Sequence, residues 1–158
     1  MKYIITLTII FITTALSAQE FRNSTWNESK ANLKSKESAY LIEENSKSNY
    51  LEEIHYVQVD SGYAFHIYYV FRKDQLIGIK TQRLQLAGQN TKYAALEAYK
   101  NQRDSYEVKY GKEKLRERNG VEQAVKILEV KLPDRELFVT IEKNGNEYFL
   151  VENIFKLN

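Results

Sequence analysis

The sequence predicts an α+β fold, helix plus antiparallel sheet, behind an N-terminal signal peptide. Three observations carry that prediction. Tyr63, Phe65, Ile67, Tyr69 and Phe71 alternate with period two, as a strand with one buried face does. Residues 90–110 set Leu96, Tyr99, Tyr106 and Tyr110 at helical spacing, between a capping Asn90 or Thr91 and a terminating Gly111. Asn144-Gly145 separates two apolar runs, a strong hairpin signal.

At the start, Lys2 precedes an apolar stretch containing Ile4, Ile5, Leu7, Ile9, Ile10, Phe11 and Ile12, and Ser17-Ala18 offers small residues for cleavage. The stretch is shorter than the ~20 residues that span a bilayer, so residues 1–18 are expected to be a signal peptide. The mature chain would begin at Gln19, with no stable membrane span after cleavage. Leu16-Ser17-Ala18 is followed by Gln19 and not by cysteine, so there is no thiol for a lipid anchor. The expected location is periplasmic or secreted.

The mature chain reads as one α+β domain, 19–158, with 19–88 and 89–158 as candidate sub-units. Residues 21–36 read as an entry segment and a short helix, in which Ser29 caps the helix start, Leu33 is the inward apolar residue and Trp26, just upstream, anchors the core. Residues 40–86 read as three antiparallel strands. Three-residue loops at Asp60-Ser61-Gly62 and Lys73-Asp74-Gln75 would pair Val59 with Tyr63, Val57 with Phe65, Leu51 with Phe71, Phe71 with Ile77 and Tyr69 with Ile79. In that register Tyr50, Ile54, Tyr56, His66, Tyr68 and Val70 share the opposite face. It is too apolar for a solvated surface, so a helix, a second sheet or a partner should cover it, and it is the expected binding face. After the long helix come two or three strands. Residues 121–132 fit either a helix or a strand, with strand favoured from about Val125.

Composition excludes several chemistries. The 158 residues contain no cysteine, which removes disulfides, thiolate metal sites and a cysteine nucleophile. A net charge of +2 on 23 basic and 21 acidic residues gives no general attraction to nucleic acid. His55 and His66 fall on opposite faces in the register above, so no metal site is expected. The adjacent pairs Glu43-Glu44 and Glu52-Glu53 diverge in a strand or a helix and cannot converge as an acid and a base. There is no P-loop and no nucleophile elbow. No catalytic, cofactor-binding or metal-ligating residue is assigned, and no enzyme activity is expected. The charged stretch 109–118 reads as a loop or an edge strand that discourages aggregation.

Phe21, Trp26 and Ser29, followed by the first helix, together with Lys109-Tyr110-Gly111 ending the second, resemble the β-lactamase-inhibitor-protein-like group. That group is related to the small lipoproteins of outer-membrane protein assembly. Asn27 stands where the group commonly has glycine, and the lipid-bearing cysteine is missing. The resemblance implies one or two helix-plus-antiparallel-sheet units and a role in binding other proteins. The expected function is therefore an exported soluble protein-binding module of the bacterial cell envelope, with a sheet face or edge as its recognition surface. A carrier of small apolar ligands is the alternative, and a hydrolytic enzyme ranks third.

Overall fold

A computed structural model describes residues 24–48, 50–86, 90–121 and 123–157; the expected signal peptide, 1–18, lies outside them. In chain order the described elements are α1 (Lys30–Lys36), β1 (Tyr40–Ser48), β2 (Leu51–Asp60), β3 (Tyr63–Arg72), β4 (Gln75–Gln85), α2 (Lys92–Tyr110), a single 3-10 turn (Lys112–Lys114), β5 (Leu115–Asn119), β6 (Ala124–Lys131), β7 (Arg135–Asn144) and β8 (Glu147–Lys156). The protein is α+β, with one eight-stranded antiparallel sheet in the order β1-β2-β3-β4-β8-β7-β6-β5. A helix followed by four strands occurs twice in the chain, and the last strand of each set meets the other at the centre of the sheet.

A seven-residue helix such as α1 is marginal alone, so its neighbours must hold it. Ser29 caps it, its side chain accepting from the Asn32 N–H at 3.3 Å. Asp74 Oδ1, in the β3–β4 turn, accepts the Lys30 N–H at 3.0 Å. Ion pairs from Lys30 to Glu52 and from Lys34 to Glu44 tie the helix to the strands. Leu33 is its buried apolar residue and packs on Ile54, Tyr56, Ile67, Tyr69 and Phe71. Trp26, just upstream, packs against the apolar clusters of both halves, so it is a core residue as expected.

The first half holds four strands and not three, and its register corrects the expected one. The β2–β3 connection is the two-residue turn Ser61-Gly62, and both residues have positive φ (50° and 83°). It pairs Asp60 with Tyr63, Tyr56 with Ile67 and Ile54 with Tyr69. Relative to a three-residue loop this is a one-residue slip, and a slip of one exchanges the faces of β2. The β3–β4 connection is also two residues, Lys73-Asp74, again with positive φ at both. It pairs Phe71 with Leu76, after which an irregularity between Val70 and Phe71 restores the expected pairing of Tyr69 with Ile79. Residues 40–48 form β1, whose polar stretch from Glu43 onward carries no alternation to announce it.

Thr91 caps α2, accepting from the Ala94 N–H at 3.2 Å, and Gly111 ends the helix at φ 87°. Ala95, Tyr99 and Tyr106 face a cluster of Leu128, Val130, Leu137, Val139, Ile141 and Ile154. On the exposed side Arg103 engages Asp104. The ambiguous 121–132 stretch resolves as β6, and the charged stretch after α2 ends in β5, which is a sheet edge. Gly145-Asn146 is the β7–β8 turn, with Asn144 paired to Glu147. Ile79 pairs with Ile154 across β4 and β8, so the two apolar clusters meet and both described helices cover the same face of the sheet.

Candidate functional site

The expected binding face is divided by the register. Ile54 and Tyr56 are 0% and 3% exposed and lie in the core beneath α1, because β2 presents its even-numbered residues to the helix side. Tyr50 lies in the β1–β2 turn, 68% exposed. His66, Tyr68 and Val70 remain together on the face turned away from the two described helices, where β2 contributes His55 and Val57 in place of Ile54 and Tyr56.

That substitution brings the two histidines together, contrary to the expected opposite placement. His55 Nε2 lies 3.0 Å from His66 Nδ1, and the His55 ring stacks on Tyr68 with centroids 4.2 Å apart and planes 15° from parallel. Glu43 of β1 is the cross-strand partner of His55 on its other side, with an oxygen 3.9 Å from Nδ1. Burial holds the His66 pKa below its ordinary value, which favours a neutral ring that can share one proton with His55. Among the described residues there is no group of three or more metal-ligating side chains. Nearer the sheet centre, Phe155 lies over Gly78, where a Cβ would come within 3.0 Å of its ring, and meets Phe138 at 6.4 Å between centroids.

The two sheet edges differ in chemistry. β5 is short and reads Leu115-Arg116-Glu117-Arg118-Asn119, a charged strand of the kind that resists pairing. β1 is longer and opens on Tyr40, Leu41 and Ile42, which are 82%, 51% and 55% exposed. Irregularities between Leu41 and Glu43 and between Ser46 and Ser48 bracket its regular stretch.

On the helix face, the junction of β4 and β8 holds a cavity of about 100 Å³ lined by Phe65, Thr81, Arg83, Gln102, Leu150 and Glu152. It lies beside α2, which contributes Gln102. Glu152 sits opposite Thr81 and Val139 in the strand register, a carboxyl in a row otherwise continued by core residues. No described residue gives it a hydrogen bond or an ion pair. Part of its surface opens to the cavity, but the surrounding protein desolvates it enough to push its pKa up to about 7. Arg83 stacks its guanidinium on Tyr63, 3.6 Å from the ring centroid, and leaves a buried Nε without a partner.

Sequence reasoning missed this cavity, although one signal was present. Tyr148, Leu150 and Ile154 set an apolar period in β8, and Glu152 breaks it. Comparison of the chain with family models, with curated proteins and with solved structures gives no match in any of the three.

Proposed function

We propose that this protein is an exported, non-catalytic protein-binding module of the bacterial cell envelope. Its edge strand β1 takes up an extended segment of a protein partner, and the adjoining face around His55 and Tyr68, turned away from the described helices, extends the contact. The observation that carries this reading is the asymmetry of the edges. A sheet edge offers unpaired N–H and C=O groups, and charged side chains along it discourage pairing with another chain. Here β5 is charged, while β1 opens on three exposed apolar residues. Main-chain pairing supplies affinity in strand addition, and side chains flanking the edge supply specificity. The resemblance of the 21–29 and 109–111 segments to a group of exported binding proteins supports the same role, as does the signal-like start. The two helix-and-four-strand halves are then sub-units of one scaffold. Fully buried side chains such as Tyr69, Phe71 and Leu137 take up much of the space between helices and sheet, and the cavity left at the β4–β8 junction is lined by Arg83 and Glu152, which gives little support to a carrier of small apolar ligands.

The reading is tested by placing a photocrosslinking benzoylphenylalanine at Leu41 or Ile42, and at Arg118 on the opposite edge, in the full chain produced in its native cells. A discrete protein adduct from the β1 positions and none from Arg118 is expected, and Ile42→Lys should reduce the Leu41 adduct several-fold. No adduct from β1, or the same adducts from both edges, removes the proposal.

A further inference from the structure

We infer that the cavity at the β4–β8 junction is a binding site for a small zwitterion, a free amino acid whose ammonium meets Glu152 and whose carboxylate meets Arg83. Two observations of different kinds converge on it. The cavity is lined by the half-buried carboxyl of Glu152, which no described residue pairs, and by Arg83, whose buried Nε has no partner. Buried polar groups are normally paired, and each exception calls for a reason. These two do not relieve each other. Arg83 is turned onto the Tyr63 ring, and burial is the only cause of the Glu152 shift, so the guanidinium does not act on the carboxylate. One ligand with a positive and a negative end satisfies both and brings no net charge into a low-dielectric site.

The remaining walls fit such a molecule. Gln102 and Thr81 offer an amide and a hydroxyl beside the charged pair, and Phe65 and Leu150 offer apolar surface for a short side chain. A volume near 100 Å³ corresponds to about three waters' share of liquid, which suits a small amino acid and excludes a folded partner or a long peptide. A second, narrower cavity shares Arg83 and Leu150 with this one and continues beneath the start of α2, past Tyr63 and Ala98. Arg83 therefore lines both hollows. The other charged or titratable side chain facing Glu152 in the cavity is this arginine; the lining from β3, β8 and α2 is otherwise uncharged.

The test is calorimetric titration of the full chain with L-alanine, together with methylamine and acetate, which each carry one half of the charge pattern. Saturable L-alanine binding at least tenfold tighter than either half-ligand is expected. Glu152→Gln and Arg83→Gln should each weaken it tenfold or more while amide spectra show the fold retained. Because an ammonium favours the ionised carboxyl, binding near pH 7 should release a fraction of a proton, read from the dependence of the heat on buffer, and that release should vanish in Glu152→Gln. Carbon-13 titration of the Glu152 carboxyl gives a second readout that needs no variant, with its midpoint falling when L-alanine is added. No saturable binding of L-alanine, binding unchanged in both variants, or an unmoved Glu152 midpoint would each overturn the assignment.

Discussion

Glu152 and His66 impose opposite pH dependences on one small protein. The carboxyl of Glu152 is raised by burial from its ordinary range to about 7. Its contribution to stability is therefore fully present below about pH 4.5 and is lost as the pH rises toward 7 and the carboxylate must form without a partner. Glu152→Gln should leave stability near pH 4 unchanged and raise it at pH 8 by about 3 kcal/mol. Urea unfolding at the two pH values measures the difference, and an equal effect at both would show that ionisation is not the cause. His66 works the other way, because burial lowers its pKa. Stability from its neutral form is present above about pH 6.5 and is lost as the pH falls through the depressed value. His66→Gln should flatten the fall in stability between pH 7 and pH 5, and retention of the full slope would place its origin elsewhere. Neither group stood out in the sequence as a titrating residue. Glu152 was one charge among many, and His66 was separated from His55 by an assumed register.

The turns decided what could be read at the level of elements. β2 is apolar on both faces, with Ile54 and Tyr56 on one and His55, Val57 and Val59 on the other. Its pattern therefore accepts either register, and the length of one loop chooses between them. Asp60-Ser61-Gly62 reads equally as a three-residue loop or as a two-residue turn preceded by the last strand residue. The structure adopts the second, which requires positive φ at both Ser61 and Gly62. Serine holds that conformation less readily than asparagine or glycine. Ser61→Asn should accordingly stabilise the protein by roughly 0.5 kcal/mol, whereas Gly62→Ala should cost about 1 kcal/mol from backbone strain alone, since no atom lies within 4 Å of the added methyl group. Chemical denaturation of the two variants checks the pair of signs; a destabilised Ser61→Asn would contradict the turn geometry. By contrast, both helices were legible with their caps, because Ser29, Thr91 and Gly111 act locally and need no knowledge of the distant chain. The strand β8 was legible too, since its apolar period is interrupted only once on the helix face.

Across the whole molecule, the joining of β4 to β8 makes one structure of two similar halves, and nothing local in the sequence announces it. The residues concerned are some seventy positions apart in the chain, and each strand has the composition of any half-buried strand. The junction is nonetheless continuous. Ladder pairing runs from Gly78 with Phe155 to Arg83 with Leu150, and Ile79 and Ile154 bring the two apolar clusters into contact. Trp26 adds a second bridge from outside the sheet, packing on both. Two cores coupled by a ladder and by shared side chains should unfold together, since opening one half would strip Ile154 or Ile79 of its cover and leave a central strand unpaired. Ile154→Ala should then cost about 3 kcal/mol without separating the halves. Hydrogen exchange would show the core amides of Ile67 in β3 and Val139 in β7 losing protection by the same amount, with tryptophan fluorescence and far-ultraviolet dichroism moving through one transition. If Val139 alone loosened, the seam would be a contact between independent units, and the cavity built across it would have no fixed geometry with which to hold a ligand.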